Sequence, residues 1–171
     1  KNVIGLIPSR LGSKRLPGKA LAKISEIPVI VHVAKRAQLS KVLGKVVVCT
    51  DSEEIANTCR DYDIEVTLTT SDMRNGTERI ASVIENYHYE YIVDIQGDEP
   101  LVNPTHIDTI AESISRNLKK EDIIIPTLEI PYSAPETIVR VQSSLSGRIM
   151  TLTRANLPHR YSVPISTVQK H

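Results

Sequence analysis

The sequence predicts an α/β protein, a mostly parallel sheet flanked by helices. Three observations predict it. Short apolar runs alternate with segments of helical period from the N-terminal residues onward. The run Lys45-Val46-Val47-Val48-Cys49 is apolar at successive positions, the mark of a strand covered on both faces. Loops rich in glycine and charge follow the first and fourth runs, where open α/β sheets collect their ligands.

The elements follow in order. Residues 2–7 form the first strand, built on Val3-Ile4-Gly5-Leu6-Ile7. A basic loop comes next. Pro28 then opens a helix with Val29, Ile30, Val33, Ala34 and Ala37 on one face. Lys35, Arg36 and Lys41 lie toward its C-terminal end, where cations suit the helix dipole. A second strand spans residues 42–50, and Asp51-Ser52-Glu53-Glu54 caps a helix to about residue 60. Residues 64–68 read as a third strand and 72–76 as a loop. Thr77 is placed to cap a helix through Ile80, Ala81, Val83 and Ile84. Residues 91–95 make a fourth strand and 104–118 a helix, with Ile107, Ile110, Ala111 and Ile114 at helical spacing. Strands are expected at 122–127, 138–142 and 148–152, with right-handed crossovers. Pro126, Pro131, Pro135, Pro158 and Pro164 loosen the alternation in the last third.

Bulk properties narrow the function. A chain of 171 residues suits one domain with a real core. The net charge of +1 provides no global field for nucleic acid. Phe and Trp are absent, and the six tyrosines do not alternate with basic residues, so no base-stacking platform is expected. No apolar run approaches the ~20 residues of a membrane span. The N-terminal apolar run is too short for a secretory leader and runs into charge. Cys49 and Cys59, the two cysteines, point to reduced thiols and a cytoplasmic setting.

Three segments carry chemistry. The loop Pro8-Ser9-Arg10-Leu11-Gly12-Ser13-Lys14-Arg15-Leu16-Pro17-Gly18-Lys19 places four cations, Arg10, Lys14, Arg15 and Lys19, within ten residues. Backbone N–H groups and cationic side chains there can both meet phosphate oxygens. A solvated basic loop is the competing reading. A Walker A loop is excluded: one residue too many separates Gly12 from Gly18, and Ala20 replaces the hydroxyl residue. The second segment, Gln96-Gly97-Asp98-Glu99-Pro100, places Asp98 beyond a strand end, where one carboxylate can hold magnesium with substrate phosphates. A simple turn with a helix cap competes. The third, Asn75-Gly76-Thr77-Glu78-Arg79, can frame a base edge or phosphate, or be an ordinary helix start. Asp51 reads as a plain N-cap and is left outside the site. His32, His88, His106, His159 and His171 are scattered and take no catalytic role. Cations, a base pocket and a metal carboxylate are together what nucleotidyl transfer needs.

In order and spacing, these three segments resemble the 3-deoxy-manno-octulosonate cytidylyltransferase (CMP-KDO synthetase) family. Ile30-Val31-His32-Val33 fits as well, and Val139-Arg140-Val141 and Thr153-Arg154-Ala155-Asn156-Leu157-Pro158 are similar to later family segments. Ala20, Asn75 and Arg140 depart from the family's usual Pro, Ser and Lys. The resemblance implies a nucleotide-diphospho-sugar transferase-like, Rossmann-like fold. It implies CTP and the acid sugar 3-deoxy-D-manno-octulosonate (KDO) as substrates, Mg2+ as cofactor, a homodimer and a role in lipopolysaccharide synthesis. Arg10 and Lys19 would neutralise the triphosphate, with Arg15 assisting, and Asp98 would hold the metal. Pro8, Ser9, Asn75, Gly76 and Arg79 would frame cytosine and ribose, and Gln96 would face the sugar. Residues 1–171 would be a single nucleotidyltransferase domain incomplete at its C-terminus, with 130–171 forming the dimerisation and sugar side and a second metal carboxylate lying further on. A cytidylyltransferase for another acid sugar, or a nucleotide-binding module without turnover, are the alternatives.

Overall fold

The computed structural model describes residues 2–12, 16–116, 123–131, 138–155 and 167–170. It divides into two compact units, Lys1–Asp122 and Ile123–His171.

The first unit is built on a parallel sheet. Its strands are β1 (Val3–Ser9), β4 (Lys45–Thr50), β5 (Val66–Leu68) and β6 (Tyr91–Asp94). Before β4 come a small hairpin, β2 (Lys23–Ile24) and β3 (Ile27–Pro28), and helix α1 (Val29–Ala37). Helices α2 (Glu53–Asp61), α3 (Gly76–Ala81) and α4 (Pro104–Arg116) complete the unit, with a 3-10 turn at Ile84–Asn86. The sheet order is β5-β4-β1-β6, all pairs parallel. The chain moves outward from β1 through β4 to β5, then returns to the other side of β1 for β6. The strand order therefore reverses between β1 and β6. Chain connections diverge at such a point and leave a crevice beyond the carboxyl ends of the strands.

Successive side chains of β1 and β4 point to opposite faces, and both faces are covered. Val3, Ile7, Val46 and Val48 pack with α1, α2 and α4 residues such as Ile30, Val33, Ile55, Cys59, Ile107 and Ala111. Ile4, Leu6, Val47 and Cys49 pack on the other side with Ile80 and Val83. Coverage on two sides is why these strands read as unbroken apolar runs. Cys49 and Cys59 are free and buried. Burial pushes the Cys49 thiol up to about 12 and the Cys59 thiol up to about 11.

Local structure corrects several expectations. β1 runs to Ser9, so Pro8 and Ser9 lie in the strand, paired with Cys49 and Thr50, before the loop begins. The hairpin β2/β3 was not legible because its turn residues, Ser25 and Glu26, both adopt positive φ without the glycine or asparagine that usually marks it. Ser52, not Asp51, caps α2: its side chain accepts from the Ile55 N–H. Asn75, not Thr77, caps α3, because Gly76 is already helical and the Asn75 side chain accepts from the Glu78 N–H at 2.9 Å. α3 ends at Ala81, short of Val83 and Ile84. α4 is described to Arg116, and Leu118 lies outside the described residues.

The second unit carries a four-stranded antiparallel sheet, β7 (Leu128–Pro131), β8 (Arg140–Ser143), β9 (Ile149–Thr153) and β10 (Thr167–Lys170), in the order β7-β10-β8-β9. These strands run antiparallel and stand outside the parallel sheet of the first unit. The link between β8 and β9 closes as a hairpin, with the Ser144 N–H donating to the Arg148 carbonyl at 2.8 Å. A parallel crossover needs about a dozen residues or more. The strand expected at 122–127 is absent over 123–127, and regular structure begins at Leu128. Pro126 offers no N–H to a ladder. Asp122, Pro135, Asn156, Leu157, Pro158, Pro164 and His171 lie outside the described residues. Among the described residues no helix is long and apolar enough to cross a membrane.

Candidate functional site

The three chemistry-bearing segments all emerge at the carboxyl edge of the parallel sheet, and Pro8 near the end of β1 is where they meet. A side chain added at Gly97 would place its Cβ 2.6 Å from the Pro8 carbonyl oxygen. One added at Gly76 would come within 2.9 Å of the Pro8 ring. Both contacts are closer than a real Cβ tolerates, so each glycine is required by close approach rather than by turn geometry. The segments around residues 76 and 97 thus pack on the same proline.

The first loop is closed at its base by a backbone bond, Gly18 N–H to Leu11 carbonyl at 3.0 Å. Leu11 packs on the core, while Arg10 beside it is exposed. Ser13, Lys14 and Arg15 lie outside the described residues, Arg15 being one of the predicted nucleotide contacts. The far end of the loop feeds α1. The first helical N–H groups, of Val29 and Ile30, donate to the Ala22 and Ala20 carbonyls at 2.9 Å each. The first two N–H groups of α1 are therefore met by the backbone that follows the loop.

Lys19 and Asp98, separated by 79 residues in sequence, form an ion pair and hydrogen bond. This contact joins the segments that follow β1 and β6, neighbouring strands of the sheet, beyond their carboxyl ends. Both side chains remain partly open to solvent. The segment carrying Asp98 is shaped by its own turns: Glu99 N–H donates to the Gln96 carbonyl at 3.2 Å, and Val102 N–H to the Glu99 carbonyl at 2.9 Å. Arg36 of α1 holds its far end, Nε donating to the Val102 carbonyl at 2.8 Å. Gln96 is exposed, with Nε2 donating to Asp94 at 3.3 Å.

The third segment is arranged differently from expectation. Asn75 is exposed, and its side-chain oxygen is engaged in capping. Glu78 accepts from the Arg74 N–H at 2.9 Å, one residue ahead of the cap. Arg79 turns inward. Its side chain is 3% exposed; Nη2 donates to Asp51 at 2.9 Å, and Nη1 donates to the Thr69 hydroxyl and the Thr70 carbonyl. A guanidinium engaged this way ties α3 to the ends of β4 and β5 and does not reach out toward a base or ribose. The structure places the Arg79 side chain, expected among the nucleotide contacts, in this buried network. Asp51, set aside in the sequence reading, is its partner; its place directly after a buried strand was the available signal.

Among the described residues no three metal-ligating side chains cluster. Asp98 supplies one carboxylate at the crevice. That donor set does not make an all-protein cage, but it fits a hard cation arriving with phosphate oxygens.

Comparison with known proteins gives a consistent picture. A curated 3-deoxy-manno-octulosonate cytidylyltransferase of Histophilus somni (strain 129Pt) is 41% identical over 165 residues, covering 92% of this chain and 62% of that protein. Its counterpart from Pasteurella multocida (strain Pm70) is 38% identical over 168 residues, covering 93% of this chain and 63% of that protein. The chain thus spans less than two thirds of the length of these relatives. The solved structure of CMP:2-keto-3-deoxy-manno-octonic acid synthetase complexed with CTP superposes with a TM-score of 0.88 at 25% identity, over 100% of this chain and 71% of that one. The family model for cytidylyltransferases matches residues 4–148, taking in all three segments that meet at Pro8, and the chain belongs to the cytidylyltransferase family.

Proposed function

We propose that the chain is the nucleotide-binding part of a magnesium-dependent 3-deoxy-manno-octulosonate cytidylyltransferase, acting as a homodimer in the cytoplasm and supplying activated sugar for lipopolysaccharide. The observation that carries this reading is the Lys19–Asp98 contact beyond the carboxyl ends of β1 and β6, where the strand order reverses. It joins the cation loop to the carboxylate loop at one point. The relatives' activity supports the choice of substrates.

In this reading the anomeric hydroxyl of KDO attacks the α-phosphorus of CTP. The new P–O bond forms as the bond to the bridging oxygen of the β-phosphate breaks; pyrophosphate leaves with that electron pair, and the hydroxyl proton passes to solvent. Arg10 and Lys19 hold the triphosphate and the charge that grows on the leaving group, with Arg15 assisting. Pro8, Ser9, Asn75 and Gly76 frame the cytidine, and Gln96 faces the sugar. Asp98 would hold Mg2+, which when bound neutralises phosphate charge. Lys19 then exchanges its carboxylate partner for phosphate. A site that hydrogen-bonds the exocyclic amine of cytosine leaves polar groups unpaired with uracil, so CTP is preferred over UTP.

The test is pyrophosphate release with CTP, Mg2+ and a panel of acid sugars. Release with KDO above the other sugars supports the reading. Preference for another acid sugar reassigns the substrate. CTP binding without release with any sugar makes the chain a binding module, and equal binding of UTP removes the cytidylyl assignment.

A further inference from the structure

We infer that Asp51 and Arg79 are positioning residues for the nucleotide pocket, a buried latch that sets the Asn75–Gly76 turn against Pro8. The inference rests on the cytidine-binding reading above and adds two residues that touch no ligand.

The geometry makes the connection. Arg79 belongs to α3, three residues beyond Gly76, and its guanidinium is buried. It meets Asp51, directly after β4, and Thr69 and Thr70, directly after β5. Three chain segments are thereby joined by one planar group that can donate in several directions at once. The joined end of α3 carries Gly76, whose Cα has room for no side chain because the Pro8 ring lies against it. A rotation or slide of α3 would move Gly76 either into Pro8 or away from it. Cap bonds fix the turn locally: Asn75 accepts from Glu78, and Arg79 N–H donates to the Asn75 carbonyl at 3.3 Å. They do not fix where the turn sits on the sheet. Arg79 does, because its partners lie directly beyond the ends of two strands of that sheet. The aspartate is what makes a buried guanidinium tolerable there.

The consequence is specific. The turn frames cytidine, not the triphosphate, so loosening the latch should weaken CTP and CMP alike. Loss of Lys19 should weaken CTP alone. Titration calorimetry with CTP plus Mg2+ and with CMP tests this on Asp51→Asn, Asp51→Glu and Thr69→Val. Asp51→Asn should weaken both nucleotides about ten-fold, since small misplacements of a binding group are costly. Asp51→Glu, which keeps the charge, should recover most of the affinity. Thr69→Val leaves the ion pair in place and should give a smaller, parallel loss for both nucleotides. Hydrogen exchange at the Asn75–Glu78 amides of the ligand-free chain should quicken in Asp51→Asn. A variant that lowers only the binding stoichiometry, with Kd unchanged, would show that the latch merely holds the fold and overturn the inference. Unchanged Kd for both nucleotides would do the same. If the unaltered chain bound neither CTP nor CMP, the cytidine reading would fall and the pocket role with it. The exchange data would then still decide whether the latch positions the turn.

Discussion

Two ion pairs stand at the carboxyl edge of the same sheet, and they are built in opposite ways. In Arg79–Asp51 the side chains are 3% and 19% exposed, and the guanidinium has further partners in Thr69 and Thr70. In Lys19–Asp98 the side chains are 36% and 46% exposed, and the pair stands over the crevice. A buried charge that loses its partner is left in a medium that cannot solvate it, so the first pair resists opening. Water can replace either partner of the second, so that pair opens at little cost. The buried pair suits a fixed framework, and the open pair suits groups that must change partners when phosphate and cation arrive.

Breaking the buried pair is the severest test. Asp51→Ala should lower the stability of the chain by about 3–5 kcal/mol, read from urea midpoints, because Arg79 is left buried without its counter-charge. A loss under about 1 kcal/mol, the range of exposed pairs, would erase the contrast.

Gly97→Ala probes the backbone beneath the open pair. Its new Cβ meets the Pro8 carbonyl oxygen at 2.6 Å, so backbone must shift. Overpacking of this kind costs roughly 1–3 kcal/mol. CTP affinity should fall with it, since Asp98 is the next residue. Unchanged stability would mean that β1 and the 96–100 segment are less rigidly joined than the contact indicates.

Asp108 of α4 is an intermediate case, a half-buried carboxylate that hydrogen-bonds the 40–42 segment. It accepts from the Ser40 hydroxyl and from the Lys41 and Val42 N–H groups at 3.0 and 3.2 Å. Burial pulls its pKa upward, but those bonds and the Lys41 charge prevail and hold it below the usual carboxylate range. A depressed carboxyl stabilises the fold above its ordinary unfolded pKa, and that contribution is lost as pH falls through the lower folded value. Stability should therefore decline with acid from about pH 4 downward, and Asp108→Asn should flatten that part of the profile. An identical acid profile in the variant would assign the loss to other carboxylates.

The smallest stability effects belong to the open pair. Lys19→Ala and Asp98→Asn should each change stability by less than about 1 kcal/mol. Function should separate them from the surface background. Lys19→Ala, and likewise Arg10→Ala, should weaken CTP far more than CMP in calorimetry. Asp98→Asn should keep the fold and sharply lower magnesium-dependent pyrophosphate release in an active enzyme. Equal losses for CTP and CMP would show that these cations do not read the triphosphate.

The sequence by itself determined the parallel half of the fold and the three segments at its edge. β1 and β4 are covered on both faces, so their apolar runs are unbroken and carry the strand assignment locally. The placement of Arg10, Lys19, Gln96, Gly97 and Asp98 in loops beyond β1 and β6 was legible because glycine and charge follow two apolar runs there. Only tertiary structure decided the rest. The direction of β8 and β9 depends on how the chain returns, and Arg148 closing on Ser144 is a pairing that strand composition does not encode. Arg79 was expected at the nucleotide through the family resemblance, and nothing local in its sequence shows that its side chain turns inward. Asp51 and Thr69 meet it, from the ends of β4 and β5, which come beside α3 only when the sheet assembles. Why residue 97 must be glycine rests likewise on a carbonyl of residue 8, remote in sequence and brought close by parallel packing.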